Sequence, residues 1–276
     1  MAVPIYDNHV HLNPEGRNVE ALRVFEAAGG TGLTLVTLPY REVPISSGED
    51  FLRSFRITLS LAERGRDATG LRINVAVGPY PVLIIPLAEN YGLERAERIM
   101  AEGMEAAARL VSEGKADAIG EVGRPHFPVA REISEASDRV LMRGMELARD
   151  IGCPVIIHSE SEPSTYGDLR RMADAVSLDP GRVVKHSSGP LVTESETLGI
   201  VPSIPASRST TREALAKGNR FMLETDYIDD PGNASAVMSI NTVPKRIKAM
   251  RASGEMSDED AHRICGEIPQ RLYDFR

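Results

Sequence analysis

Tyr6-Asp7-Asn8-His9-Val10-His11-Leu12 follows the apolar Val3-Pro4-Ile5 and runs into Asn13-Pro14-Glu15-Gly16. The first piece reads as a strand and the last as a turn, so both histidines fall at the strand's C-terminal end. Side chains two apart on a strand share a face. His9 and His11 therefore point the same way, with Asp7 behind them on that face. Two imidazoles so placed can bind one metal ion between them. What the rest of the chain brings to that strand end decides the matter.

The 276 residues can hold one large domain, and a (β/α)8 barrel of about 250 residues fits inside them. A single domain over residues 1–276 is expected, since no linker, repeat or low-complexity segment interrupts the chain. The net charge of -8 argues against a broad basic surface for gripping long nucleic acid. Cys153 and Cys265 form no ligand pattern and read as reduced, structural thiols of a cytoplasmic protein. The N-terminal residues enter a strand at once, without a basic, apolar, cleavable segment. The longest apolar run, Val82 to Ala88, contains Pro86 and is too short to span a bilayer, so no membrane is expected.

Outward from the first strand, the chain alternates. Helical spacing over Asn18 to Ala28 ends at Gly29-Gly30. Leu33 to Leu38 is near-continuously apolar, as a strand covered on both faces should be. Ser46-x-x-Glu49 reads as a capping box for a helix through Arg64. Strands follow at Leu71 to Val77, Ala116 to Val122, Pro154 to His158, Arg182 to His186, Gly199 to Pro202 and Phe221 to Asp226. Helices are expected over Leu93 to Glu113, Ser134 to Ile151 and Thr165 to Val176, with a short one at Thr193 to Glu196. Thr210-x-x-Glu213 should cap a helix to Lys217. Two last helices are expected at 233–251 and, capped by Ser257-x-x-Asp260, at 258–265. Eight strands alternating with helices give a closed (β/α)8 TIM barrel or an open doubly wound sheet. No Gly-rich fingerprint follows the first strand and no GxxxxGK[ST] occurs, so the barrel is the expected fold.

Polar residues fall at the strand ends. Glu121 ends strand four, His158 strand five, His186 strand six and Asp226 strand eight. With His9 and His11, four of the six histidines and two carboxylates would share one barrel mouth, where active sites are built. Buried His, Glu and Asp are costly unless paired or metal-bound, and one site accounts for all six. Six ligands exceed the need of one tetrahedral ion and suit two, with Glu121 as the natural bridge. Glu121 and Asp226 are the catalytic candidates, Asp226 as the group that accepts and returns a proton.

These motifs resemble the TatD family of metal-dependent hydrolases, within the amidohydrolase-like barrels. The resemblance rests on His-x-His, Gly120-Glu121-Val122-Gly123, Ile157-His158-Ser159, Lys185-His186-Ser187-Ser188-Gly189 and Glu224-Thr225-Asp226. The tail Ile268-Pro269-Gln270-Arg271-Leu272-Tyr273 is similar to that family's closing segment. The resemblance implies a TIM barrel with one or two divalent ions (Zn, Mn, Mg, Fe or Ni) and, as in studied members, DNase activity. It implies that His9, His11, Glu121 and Asp226 hold one ion, and Glu121, His158 and His186 the other. The chain departs from the pattern in several places. Tyr227-Ile228-Asp229-Asp230-Pro231 stands where a small residue and proline usually follow the strand-eight Asp. Gly123-Arg124-Pro125-His126 replaces Gly-Leu-Asp, strand six lacks the usual aromatic, and Ile268 stands for a common Asn. The ligands survive these changes, and the substrate is what they leave open.

Other residues carry two readings each. Arg124 and His126 could hold a substrate phosphate or carboxylate, or form a loop salt bridge. Asp7 could support the ligands from outside or pair with a Lys or Arg. Arg208 and Arg212 could bind phosphate or merely solvate a helix start. Tyr40, Tyr80 and Tyr227 could wall the mouth or pack in loops. Lys185 faces away from the ligands, and His262 lies on the last helix, far from the strand ends. The expected function is a binuclear phosphoesterase or deoxyribonuclease acting on a small phosphoester or a nucleic-acid end. An amide, lactone or carboxylic-ester hydrolase on the same centre is the alternative, and a metal-binding scaffold without turnover is the non-enzymatic one. The sequence does not give the oligomeric state.

Overall fold

The apolar runs become strands buried on both faces in the computed structural model, which describes residues 3–230, 232 and 237–273. The strands are β1 (Tyr6–His11), β2 (Gly32–Val36), β3 (Arg72–Val77), β4 (Ala118–Gly123), β5 (Val155–His158), β6 (Val183–Lys185), β7 (Val201–Pro205), β8 (Met222–Glu224) and β9 (Tyr227–Ile228). From β1 to β8 each strand pairs in parallel with the next. The short β9 pairs in parallel with the other side of β1. The last link is made partly by a side chain. Just after β8, the Thr225 N–H donates to Asp7 Oδ1 at 3.0 Å and the Thr225 hydroxyl to Oδ2 at 2.7 Å. The result is a (β/α)8 TIM barrel, and all strand C-termini open at one mouth.

The helices are α1 (Val19–Ala27), α2 (Gly48–Ala68), α3 (Ile84–Tyr91), α4 (Leu93–Ser112), α5 (Arg131–Ile151), α6 (Pro163–Ala175), α7 (Glu194–Thr197), α8 (Arg208–Lys217), α9 (Thr242–Ala252), α10 (Asp258–His262) and α11 (Ile268–Tyr273). Their apolar faces meet the strands in one cluster around Phe25, Phe51, Phe55 and Leu33. A second cluster gathers Phe221, Ile247, Ile264 and Leu272 under the C-terminal helices. No helix among the described residues is long and apolar enough to cross a membrane.

Several boundaries differ from the sequence reading. Helix α2 starts at Gly48, so its third residue is Asp50, not Glu49. Asp50 Oδ2 accepts from the N–H groups of Ser46 and Ser47, and the cap moves from Ser46 to Ser47. Ser207, not Thr210, caps α8: its hydroxyl accepts from Thr210 N–H at 3.1 Å. The seventh strand starts at Val201 and runs past Pro202 to Pro205. Helix α9 begins at Thr242; of the expected 233–251 span, residues 233–236 lie outside the described residues. The run Val82 to Ala88 is helical because Pro81 and Pro86 both sit in first turns, where no N–H is needed. The final helix does not stop at Cys265 but passes through a π-turn, Arg263–Glu267, into α11.

That continuation brings Tyr273 under the barrel floor. Its hydroxyl donates to Asn8 Oδ1 at 2.6 Å, and Asn8 Nδ2 donates to Ser203 Oγ at 3.1 Å. The Ser203 hydroxyl in turn donates to Glu224 Oε2 at 2.5 Å. All four side chains are buried, so each needs these partners. Tyr273→Phe removes the only donor to Asn8 Oδ1 in this line, and a buried acceptor left unpaired costs about 1–3 kcal/mol. The expected outcome is a lower urea midpoint with an unchanged m-value; an unmoved midpoint would show that the floor is not held this way.

Candidate metal centre

The strand ends bring the expected side chains together, although strict alternation does not hold along β1 and β4 and Asp226 lies just past β8 with φ 50. A register slip on β1 between Asp7 and Val10, and another on β4 between Gly120 and Val122, adjust the strands locally at the ligand positions. His9 is fully buried, and Glu121, His11 and His186 nearly so. The two oxygens of Glu121 face different histidines. Oε2 lies 3.6 Å from His9 Nε2 and 3.8 Å from His11 Nε2. Oε1 lies 3.5 Å from His186 Nε2 and in close contact with His158 Nδ1. Asp226 Oδ1 stands 3.4 Å from His11 Nε2. The His9 ring stacks on His186, centroids 3.8 Å apart.

Three sets of ligand atoms each lie within 4.8 Å of one another: His9, His11 and Glu121; Glu121, His158 and His186; and His9, His186 and Glu224. Such buried groups could hold metal ions, and an independent sign agrees. Both ring nitrogens of His9 are buried without a hydrogen-bond partner, and Nδ1 of His158 and of His186 approach carboxylates without an aligned bond. Buried polar atoms are rarely left so unless something else binds them. Nitrogen with carboxylate oxygen is also the donor set that imidazole-loving divalent ions prefer.

The charges follow from crowding. Burial pushes the Glu121 carboxyl up, but contacts with His158, His9 and His186 outweigh it and hold it well below the carboxylate range. Burial likewise works against Asp226, and its bond to His11, with the nearby His186 and His9, brings it down to about 2. Burial and the facing His186 lower His9. Burial would lower His186 too, yet the Glu224 carboxylate raises it to about 9.

Glu224 is the residue that sequence reasoning passed over. It is fully buried, its Oε1 lies 3.0 Å from His186 Nδ1, and the same oxygen accepts from Ser187 N–H at 2.8 Å. Its only sequence signal was its place in Glu224-Thr225-Asp226, since its partners His186, Ser187 and Ser203 come from other strands and loops.

The residues with two readings now divide. Arg124 takes the salt-bridge one: its guanidinium meets Glu160 at 2.5 Å, Asp138 at 3.3 Å and Asp168 at 3.8 Å. A cation already ringed by three carboxylates is not free for a substrate anion. His126 is exposed but joins the site, its Nδ1 2.8 Å from His158 Nε2. Tyr80 walls the mouth, edge-on to His158 with centroids 5.2 Å apart, and burial with the charges of Glu121 and Asp226 raises its phenol to about 12. Tyr40 and Tyr227 pack instead, their hydroxyls turned to Leu12 O and Asp229 Oδ1. Arg208 and Arg212 both pair with Glu255 in solvent, and His262 is exposed. Asp7 meets neither Lys nor Arg among its hydrogen bonds: besides Thr225 it accepts from His9 N–H at 3.2 Å, tying β8 to the first histidine. Burial raises its carboxyl to about 7 despite those bonds. Lys185 turns from the ligands, as expected, and donates to His186 O at 2.6 Å and Ser159 O at 3.2 Å.

A parallel barrel whose mouth carries a buried His/Glu cluster able to hold metal ions is the class that fold and site define. The model of TatD-related DNases matches residues 6–274, and the chain belongs to that family of hydrolases. An uncharacterized protein of Methanocaldococcus jannaschii, MJ1127, is 34% identical over 279 residues, covering 99% of this chain and 97% of that one. The crystal structure of YJJV, a TatD homolog from Escherichia coli K12, superposes with a TM-score of 0.70 at 21% identity, covering 100% of both chains. A chain described as organophosphate hydrolysis activity engineered from a weak promiscuous lactonase template superposes at 0.66 with 17% identity, covering 98% and 96%.

Proposed function

We propose that this protein is a metal-dependent phosphoesterase with two divalent ions at the barrel mouth. The observation that carries the reading is the division of Glu121, one oxygen towards His9 and His11, the other towards His158 and His186. In this reading His9, His11, Glu121 and Asp226 hold one ion, and Glu121, His158 and His186 the other. Two such ions supply Lewis acidity, lower the pKa of a bound water towards about 7, and stabilise attacking and leaving oxygens. Imidazole-rich positions favour Zn, Mn, Fe or Ni over Mg. Asp226, partly exposed beside His11, takes the proton of the attacking water and returns it to the leaving oxygen. Glu224 and the Val36 carbonyl orient His186 and His11 from behind; the latter accepts from His11 Nδ1 at 3.0 Å. Tyr80 closes one wall.

The substrate we favour is a small phosphoester or a nucleic-acid end. Around the mouth stand Glu15, Glu42, Asp230, Glu160 and Glu162 against Arg41 and the already paired Arg124. Long duplex DNA needs many basic contacts, and acidic side chains outnumber basic ones among these described residues. Buried free thiols fit a cytoplasmic setting. A second reading, lactone or amide hydrolysis on the same centre, draws on the lactonase-derived neighbour. The test is a screen of the zinc- and manganese-loaded protein against phosphomonoesters, phosphodiesters, oligonucleotide ends, lactones and amides. Phosphoester turnover that chelation abolishes, with the far-ultraviolet circular dichroism intact, is expected, because the core lies in the strands and helices rather than at the rim. Turnover of lactones or amides alone would put the second reading in its place, and metal binding without turnover of any class would leave a scaffold.

A further inference from the structure

Among the site's histidines, His158 alone turns its Nδ1, not its Nε2, to Glu121. His11 has Nδ1 fixed by the Val36 carbonyl, and His186 has Nδ1 beside Glu224 Oε1, so each presents Nε2. His158 is reversed: Nδ1 meets Glu121, and Nε2 faces His126 Nδ1 at 2.8 Å. A neutral imidazole has one N–H and one lone pair, and an ion takes the nitrogen whose partner holds the N–H.

We infer that His126 is a positioning residue: by accepting the N–H of His158 Nε2 it leaves Nδ1 bare towards Glu121 and fixes the ring. This rests on the two-ion reading above. A ligating histidine nearly always hands its other N–H to an acceptor, and His126 is the side chain the structure gives His158 for that purpose. The loop that carries it is built for aim. Gly123 has φ 138, a conformation L side chains rarely adopt, and a Cβ there would collide with the His158 carbonyl oxygen. Arg124 N–H donates to that same carbonyl at 2.9 Å, while its guanidinium is gripped by Glu160 and Asp138. Pro125 then fixes φ before His126. The rings of His126 and His158 meet edge-on, centroids 4.9 Å apart, and Tyr80 meets His158 in the same manner at 5.2 Å. Gly-Arg-Pro-His, where the family pattern has Gly-Leu-Asp, is thus a device of this chain for setting one ligand.

The test is zinc affinity, measured by competition with a chromogenic chelator, on wild type, His126→Ala and His126→Gln. Wild type should take up two ions. His126→Ala should bind one of them about 10–100-fold more weakly, the usual effect of losing such an outer partner, and the other as before. Because His126 is exposed, the metal-free variant should melt with wild type. His126→Gln, whose amide oxygen can accept the same N–H, should recover part of the loss. Imidazole ¹⁵N spectra of the zinc-loaded protein should show His158 protonated on Nε2. Equal affinities in His126→Ala and wild type, or failure of Gln to do better than Ala, would overturn the inference alone. A wild type that binds no zinc would overturn the two-ion reading and this inference with it.

Discussion

Glu121→Gln is expected to release both ions and to lower turnover by more than about 10²-fold. That exceeds the 10–100-fold typical of an outer-shell partner, because Glu121 would be a direct ligand. The reason lies in the way its oxygens are shared. Oε2 faces the β1 pair and Oε1 faces His158 and His186. A carboxylate offers negative charge on both atoms, whereas an amide offers one weak oxygen and one NH₂ that repels a cation. Whichever way the new amide turns, one histidine pair loses its anion and the other meets a poorer ligand. The charge matters as well, since several imidazoles crowd one buried carboxylate and hold it ionised. Elemental analysis after dialysis, with kcat on the best substrate, checks the result. Loss of a single ion would place Glu121 in one position only, and two ions at wild-type affinity would remove it from both.

Much of this site is legible along the chain because a barrel converts sequence position into place. Strand ends share a mouth, so His9, His11, Glu121, His158, His186 and Asp226 could be gathered without knowing any contact. What stayed hidden depends on partners distant in sequence. Nothing near Arg124 announces that Asp138 and Glu160, from α5 and the β5 loop, will occupy its guanidinium. Glu224 looked like an ordinary strand residue until His186, Ser203 and Ser187 closed on it. Tyr273 sits in a segment legible only by resemblance, and its bond to Asn8 spans 265 residues. Local ambiguities misled in a different way. Ser46-Ser47 and Glu49-Asp50 are doublets, so the capping pattern fits in two registers, and the start of α2 at Gly48 chooses the later one. The short β9 gave no periodicity to read, because two residues cannot show one.

Asp226→Asn is expected to lower kcat by about 10²–10⁴-fold, the range for losing a general base, with KM little changed. The position makes this substitution informative. Asp226 has φ 50, a left-handed conformation in which Asn is as much at home as Asp. The preceding Thr225 stays pinned by Asp7 through both its N–H and its hydroxyl. Backbone and shape should therefore survive, and Asn keeps one oxygen for a ligand while losing the capacity to take a proton. One objection is that a carboxyl held at about 2 makes a feeble base. Against burial, what lowers it is the bond to His11 and the charges of His186, His9 and His11. Histidines serving as metal ligands are neutral, but the ions that replace their charge would keep Asp226 ionised while also acidifying the bound water, so a weak carboxylate base is matched to the proton it takes. Metal content must be measured on the same variant, because an emptied position would lower kcat for a different reason. A variant with its full complement of metal and near-normal kcat would take Asp226 out of proton transfer and leave it a ligand beside His11.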